Sequence, residues 1–270
     1  MLRIYSLIKF LGFDPVLFLN NIRGLRIYLK DLRLLKKQQG KDTTFYFGKK
    51  YPVLNNRFSN AGTIKGHYFH QDLYVGKKIF NASPQKHVDV GSRIDGFVSH
   101  LAVFREIEVF DIRKLTSNVK EIIYKQKDLM NLDDSMINYC DSISSLHAIE
   151  HFGLGRYGDP IDYFGHLKAI RNITKILKPN GIFYFSVPIG KQRIEFNAHR
   201  VFSIKYLLEI FEENYTLISF SYVNDKGDLF EDIQLTDSNI RNNLGCVWGC
   251  GIFELKKVKE VEGLSYRKIP

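Results

Sequence analysis

Cysteine is scarce in this chain of 270 residues, and the three present, Cys140, Cys246 and Cys250, are too few and too odd in number for a disulfide framework. Cys246 and Cys250 have no histidine pair near them in sequence, so reduced thiols are expected and a metal site is not. Long apolar runs are also absent. Each hydrophobic stretch carries a charge, Lys9 and Asp14 among them, so none reaches the roughly eighteen residues needed to cross a bilayer. Lys9 also interrupts the only segment that would serve as a signal-peptide core, and no small-residue cleavage site follows it. A cytoplasmic location is the expectation. There are no internal repeats, and 44% hydrophobic with 25% charged residues is the composition of a globular chain with a sizeable core.

The charge is one-sided at the start of the chain. Residues 1–41 hold nine Lys or Arg against Asp14 and Asp31, which accounts for seven of the ten net positive charges. Over residues 14–39, Phe18, Ile22, Leu25, Leu29 and Leu32 recur at helical spacing, and Arg23, Arg26, Lys30, Arg33 and Lys37 form a second stripe beside them. Such a helix suits an anionic membrane surface on the inner face of the membrane, or a packing face on the main domain or another subunit. No interleaving of aromatic and basic residues accompanies the charge, so a nucleic-acid partner is not expected. The expected organisation is a basic amphipathic extension over 1–45 and an α/β domain over 46–270.

From residue 86 onward short apolar runs alternate with helical patterns, the sign of a parallel sheet with crossover helices. Strands are predicted at 86–91, 107–112, 121–124, 140–146, 181–187, 216–223 and 251–258, and helices at 96–104, 162–177 and 203–213. The last two strands are joined by a polar stretch with no helix, which predicts an antiparallel pair at the sheet's end.

In such sheets a ligand lies at the carboxyl ends of the strands, beside the first turn. Here that turn is "HVDVGSRIDG". A dinucleotide fingerprint wants glycine at 91, 93 and 96, and Arg93 stands where a pyrophosphate would approach, which disfavours NAD or FAD. S-adenosylmethionine carries no phosphate, and the loop keeps Asp89, Gly91 and Gly96 while departing from the usual glycines with Arg93 and Asp95. Asp111 ends the second strand, 22 residues after Asp89, where a carboxylate accepts ribose hydroxyls. The alternative is that Asp111 pairs with Arg113 or Arg105. Ile112 follows it. Asp128 and Leu129 follow the third strand, with Asp128 placed to accept an adenine amino group or to cap a helix.

"CDSISSLHAIEHFG", "ITKILKPNGIFYFSVPIG" and "NAHRVFSIKYLLEIF" resemble the fourth strand, the helix-to-fifth-strand segment and the next helix of class I S-adenosylmethionine-dependent methyltransferases. "GHYFHQDLYVGKKI", "HVDVGSRIDGFVSHLAVFREIEVFDIR" and "SLHAIEHFGLGRYGDPID" resemble, more closely, the methyltransferase-like family known as domain of unknown function 268, whose members occur in bacterial surface-polysaccharide gene sets. The similarity runs from about residue 50 to 256. It implies a Rossmann-like seven-stranded sheet, mostly parallel with the last strand antiparallel, flanked by helices. It implies S-adenosylmethionine as cofactor and O-methylation of a saccharide or a nucleotide- or lipid-linked sugar.

Transfer to a hydroxyl needs alignment and a base, and histidine suits the second task. The candidates are His147, His151 and His199. Glu150, Arg156, Tyr157, Asp159, Asn197 and Arg200 are the candidates for holding the acceptor, the arginines through forked donation to a phosphate or carboxylate. Tyr68, Gln71 and Asp72 are second-tier candidates above the cofactor. His147 and His151 without a third ligand do not make a metal site. The competing readings are a degenerate scaffold or binding subunit of a membrane-associated glycan system, favoured by Arg93 and Asp95, and an NAD-linked sugar enzyme.

Overall fold

The computed structural model describes residues 9, 11–131 and 136–258. The apolar segment weighed as a signal-peptide core lies largely outside them. Among the described residues no helix is long and apolar enough to cross a membrane. The described residues fall into two compact units, which divide between Thr63 and Ile64.

In the first unit the basic pattern forms α1, Pro15–Gln39. Asp14 caps it, its Oδ1 accepting from the amides of Val16 (3.0 Å) and Leu17 (3.1 Å), and Pro15 opens the first turn, where its missing N–H costs nothing. Residues 46–63 belong with this helix because the chain returns along it. Gly24 is its one buried residue, and a Cβ there would lie 2.0 Å from the Leu54 carbonyl oxygen. Arg57 pairs with Asp31 at 2.7 Å.

The second unit is built on one eight-stranded sheet, with β1 His87–Val90, β2 Ile107–Asp111, β3 Ile122–Gln126, β4 Cys140–Leu146, β5 Leu177–Ile189, β8 Tyr215–Val223, β9 Leu229–Phe230 and β10 Gly249–Lys257. The order is β3-β2-β1-β4-β5-β10-β8-β9. The first five strands are parallel, and β10 lies antiparallel between β5 and β8. This is the seven-stranded arrangement expected, with β9 added at the edge. The link from β8 to β10 is not helix-free: it holds β9 and the short helix α6, Asp237–Asn242, capped by Thr236. Six residues are too few to show a helical period in the sequence.

Period-two alternation in β5 divides the core. Phe183 and Phe185 pack on one face with Ile170 and Ile173 of α4 (Gly165–Ile176) and with Leu207 and Phe211 of α5 (Ile204–Phe211). Tyr184 packs on the other with Val75 and Ile79 of α2 (His67–Ala82) and with Leu101 of α3 (Ser99–Ala102). The predicted helix at 96–104 is a single π turn, Ile94–Val98, running into α3, because Gly96 breaks from helical dihedrals. α2 is fixed to the antiparallel strands by Lys78, whose Nζ lies 2.8 Å from Glu254, and by Tyr74, whose hydroxyl accepts from Ser221 at 2.8 Å.

The serines of β4 are spent on β1. Ser144 Oγ donates to Asp89 at 2.6 Å, Ser145 Oγ to the Val90 carbonyl at 2.9 Å, and His87 sits between Ser142 (2.8 Å) and Ser144 (3.0 Å). Burial pushes the Asp89 carboxyl up to about 6, from an ordinary 3.8. Between those values the folded chain binds more protons than the unfolded one, so this group's contribution is fully present below about pH 3.8 and is lost as pH rises through about 6. Asp89→Asn is therefore expected to gain on the parent protein by roughly 2–3 kcal/mol in unfolding free energy between pH 4 and 7. Urea denaturation at a series of pH values checks this; parallel curves for the two proteins would refute it.

Candidate functional site

A cavity opens at the carboxyl ends of the parallel strands. Gly91 follows β1. Phe110 and Asp111 end β2, and Ile112 and Arg113 follow. Lys127 to Met130 follow β3. His147 and Ala148 follow β4, and His151, Phe152, Tyr157 and Asp159 close the far side. The β1 turn is possible because Gly91 adopts φ +71°, a conformation that side-chain-bearing residues rarely adopt, and a Cβ there would lie 3.0 Å from that of Ala148. Glycine thus keeps the backbone open to a ligand.

Asp111 faces this cavity with its side chain largely buried, and Arg113 holds it there. Asp111 Oδ1 accepts from the Arg113 backbone amide (2.8 Å) and Nε (2.9 Å), and Oδ2 accepts from the guanidinium Nη2 (2.5 Å). The guanidinium in turn lies 4.5 Å from the centre of the Tyr157 ring. Both readings of Asp111 thus describe the same side chain. It is presented to the cavity, and it is ion-paired. Asp128 also faces the cavity, with its oxygens accepting from the Met130 amide (2.9 Å) and the Asn131 side chain (2.7 Å).

His151 donates from Nδ1 to the Ala198 carbonyl at 2.7 Å. That bond leaves Nε2 as the basic nitrogen, 3.7 Å from Glu150 Oε1. Burial lowers the pKa of this imidazole, so it is neutral at pH 7. His147 also lines the cavity, but its Nδ1 is bound to Glu150 Oε1 at 2.7 Å. Its Nε2 has no hydrogen-bond partner among the described residues. A buried polar nitrogen left so costs about 1–3 kcal/mol. Asp159 braces the loop it belongs to, Oδ2 accepting from the amides of Gly153 (2.8 Å) and Gly155 (3.2 Å). Tyr157, from that loop, meets the edge of the His151 ring.

Gly91, Asp111, Ile112, Asp128, Leu129, His147, His151, Tyr157 and Asp159 are thus brought together. The other sequence candidates do not line this cavity. Asp89 is wholly buried beneath it, its oxygens taken by the Ser92 amide, the Ser92 hydroxyl and Ser144. Arg93 and Asp95 pair with each other at 2.9 Å on the surface, and Arg93 stacks over Tyr68. Gly96 abuts the Asp72 carboxylate instead. Arg200 is buried and donates to backbone carbonyls, closest to Phe152 (2.6 Å) and Tyr163 (3.0 Å), so no fork is left for an acceptor. His199 lies on the hairpin of β6 (Arg193–Glu195) and β7 (His199–Val201), its Nε2 3.2 Å from both Glu195 and the Trp248 indole nitrogen. Asn197 is exposed at the tip of that hairpin. Arg156 donates to the Ala198 carbonyl at 2.8 Å. Glu150 is buried behind His147.

Sequence reasoning missed Phe110, Lys127, Met130, Ala148 and Phe152 as lining residues. Each stands within one position of a residue it did name, so the signal was the strand end itself. In the sequence Arg113 stands out only as a partner for Asp111.

A family model described as "Caenorhabditis protein of unknown function, DUF268" matches residues 83–243. No curated protein matches the sequence. Among solved structures, the YcgJ protein of Bacillus subtilis is 14% identical with a TM-score of 0.49, covering 71% of this chain and 99% of its own. The 1,6-didemethyltoxoflavin-N1-methyltransferase of Burkholderia thailandensis, solved with 1,6-didemethyltoxoflavin and S-adenosylhomocysteine, is 12% identical with a TM-score of 0.48, over 70% of this chain and 79% of its own. The N-methyltransferase NodS of Bradyrhizobium japonicum, in complex with S-adenosylhomocysteine, is 14% identical with a TM-score of 0.47, over 84% and 98%. At such identity nothing about ligand or reaction carries over from them.

Proposed function

The chain belongs to the DUF268 family, and from that membership together with the cavity's geometry we propose that it is an S-adenosylmethionine-dependent methyltransferase. The observation that carries the reading is the convergence of Gly91, in its left-handed turn, and Asp111 on one hollow at the carboxyl ends of β1 and β2. The residues fit an adenosine group. Asp111 would take the ribose hydroxyls, the backbone at Gly91 would pass beneath, Asp128 would face the adenine edge, and Phe110, Leu129 and Met130 supply apolar walls. When bound, S-adenosylmethionine supplies an electrophilic methyl group.

The chain's own part is to align an acceptor and take its proton. His151 is fitted for that: it is neutral, its tautomer is set by the Ala198 carbonyl, and its ring faces the cavity. Family membership favours a saccharide hydroxyl as acceptor. Arg156, beside His151 and Tyr157, suits the phosphate of a nucleotide- or lipid-linked sugar. The first unit extends this to a location. Leu19, Leu25, Leu29 and Leu35 of α1 are exposed beside its basic stripe, which suits contact with anionic lipid.

A second reading, a cofactor-free binding subunit in a glycan assembly system, is favoured by one feature: Arg113 occupies both oxygens of Asp111. Titration calorimetry with S-adenosylhomocysteine separates the two. The enzyme reading expects saturable binding that weakens at least tenfold in Asp111→Ala, while heats no greater than dilution in the parent protein favour the subunit. Among sugar acceptors that support turnover, His151→Gln is expected to lower the rate by about 10²–10⁴ with product affinity retained; undiminished turnover removes His151 as the base. For α1, co-sedimentation with anionic vesicles that weakens as salt is raised is the expected result. Equal recovery with neutral vesicles would contradict an electrostatic contact.

A further inference from the structure

Beside the cavity, three buried side chains from distant parts of the chain point at one another. His67 opens α2, His147 follows β4, and Cys250 lies in β10, paired with Pro188 of β5 and Val223 of β8. One ligand atom from each lies within 4.8 Å of those of the other two. All three residues are more than nine-tenths buried. Nδ1 of His67 and Nε2 of His147 have no hydrogen-bond partner among the described residues. Two imidazole nitrogens and a sulfur therefore converge on a common space, in which the Cys250 thiol interacts with His147.

From this arrangement we propose that His67, His147 and Cys250 bind a zinc ion. Two imidazole nitrogens and a thiolate are a donor set that zinc accepts, and its bonds of ~2.0–2.3 Å place tetrahedral ligands about 3.3–3.7 Å apart. The cluster closes on an ion by contracting at most about 1.5 Å from its present 4.8 Å. The rings are 11° from parallel with centroids 5.1 Å apart, so a tilt of each turns both lone pairs onto the ion.

The surroundings support the assignment. Glu150 Oε1 accepts from His147 Nδ1 at 2.7 Å, which presents Nε2 as the free lone pair and strengthens it as a ligand. His147 holds this place with φ +50°, unusual for a residue with a side chain. When Cys250 gives up its proton, the thiol loses its 3.5 Å contact with Gln71 Oε1 and its 3.9 Å contact with the Gly251 carbonyl, and Gln71 Oε1 keeps the Ser186 hydroxyl at 2.6 Å. Tyr68 and Trp248 cover the two imidazoles. Three protein ligands leave the fourth position of zinc to water or to an atom of the acceptor.

The test needs only the full-length protein. Purified from zinc-supplemented cells and dialysed against metal-free buffer, it is expected to carry about one zinc per chain by mass spectrometry of the elements, and Cys250→Ser and His67→Ala are each expected to lose it. A second measurement does not depend on the variants folding. Chelator-treated parent protein titrated with Co²⁺ is expected to gain a thiolate charge-transfer band in the near ultraviolet and the visible bands of a tetrahedral ion, saturating at one equivalent. Parent protein with only trace zinc, and no thiolate band on adding Co²⁺, overturns the proposal. Both readouts are independent of S-adenosylhomocysteine binding, so failure here leaves the cofactor reading standing, and the reverse.

Discussion

Asp89 is fully buried at the end of β1, and the carboxylate accepts from the Ser92 amide at 3.0 Å, the Ser92 hydroxyl at 2.6 Å and the Ser144 hydroxyl at 2.6 Å. Ser92 Oγ in turn accepts from the Leu146 amide at 3.0 Å. This knot ties the first turn of the sheet to the end of β4. Hydrogen bonds to a charged group contribute about 1.5–3 kcal/mol each, which offsets only part of the cost of burying the charge, and the carboxyl stays above its ordinary range. The ligand-facing edge depends on it: the turn so tied carries Gly91 with its positive φ, and the end of β4 so tied carries His147 and Ala148 into the cavity wall.

Much of this was legible in the sequence because the second unit obeys simple periods. Buried parallel strands read as short apolar runs, and Asp111 was found by its distance from Asp89 at the end of the neighbouring strand. What was illegible were the partners. In an acidic residue followed by glycine, Asp89 looks like a ligand for the cofactor, and nothing in the local sequence says that a serine in β4, Ser144, completes its shell. Arg200 looks like a free fork until the carbonyls of Phe152 and Tyr163 are seen around it. The charge pattern marks α1 but not the stretch after it, and residues 46–63 group with α1 through contacts such as Gly24 against Leu54.

The same limit hid the thiol cluster. Its members lie at 67, 147 and 250, too far apart in the chain for a ligand spacing to join them, whereas His147 and His151 stand only four residues apart. In the fold these two histidines serve different ends of one carboxylate. Glu150 Oε1 is 2.7 Å from His147 Nδ1 and 3.7 Å from His151 Nε2. His147 turns its other nitrogen to Cys250 and His67, and His151 presents its ring to the cavity. A single buried glutamate thus joins the two polar centres of the second unit.

Cofactor binding requires Asp111 to be available to a ligand, although Arg113 now holds it. A crystal structure of the protein grown with S-adenosylhomocysteine is the most direct test. The predicted result is the ligand above Gly91, its ribose hydroxyls on Asp111, and Arg113 displaced from at least one carboxylate oxygen. An Asp111–Arg113 pair left intact at saturating ligand, with the hollow above Gly91 filled by the protein's own side chains, would contradict it.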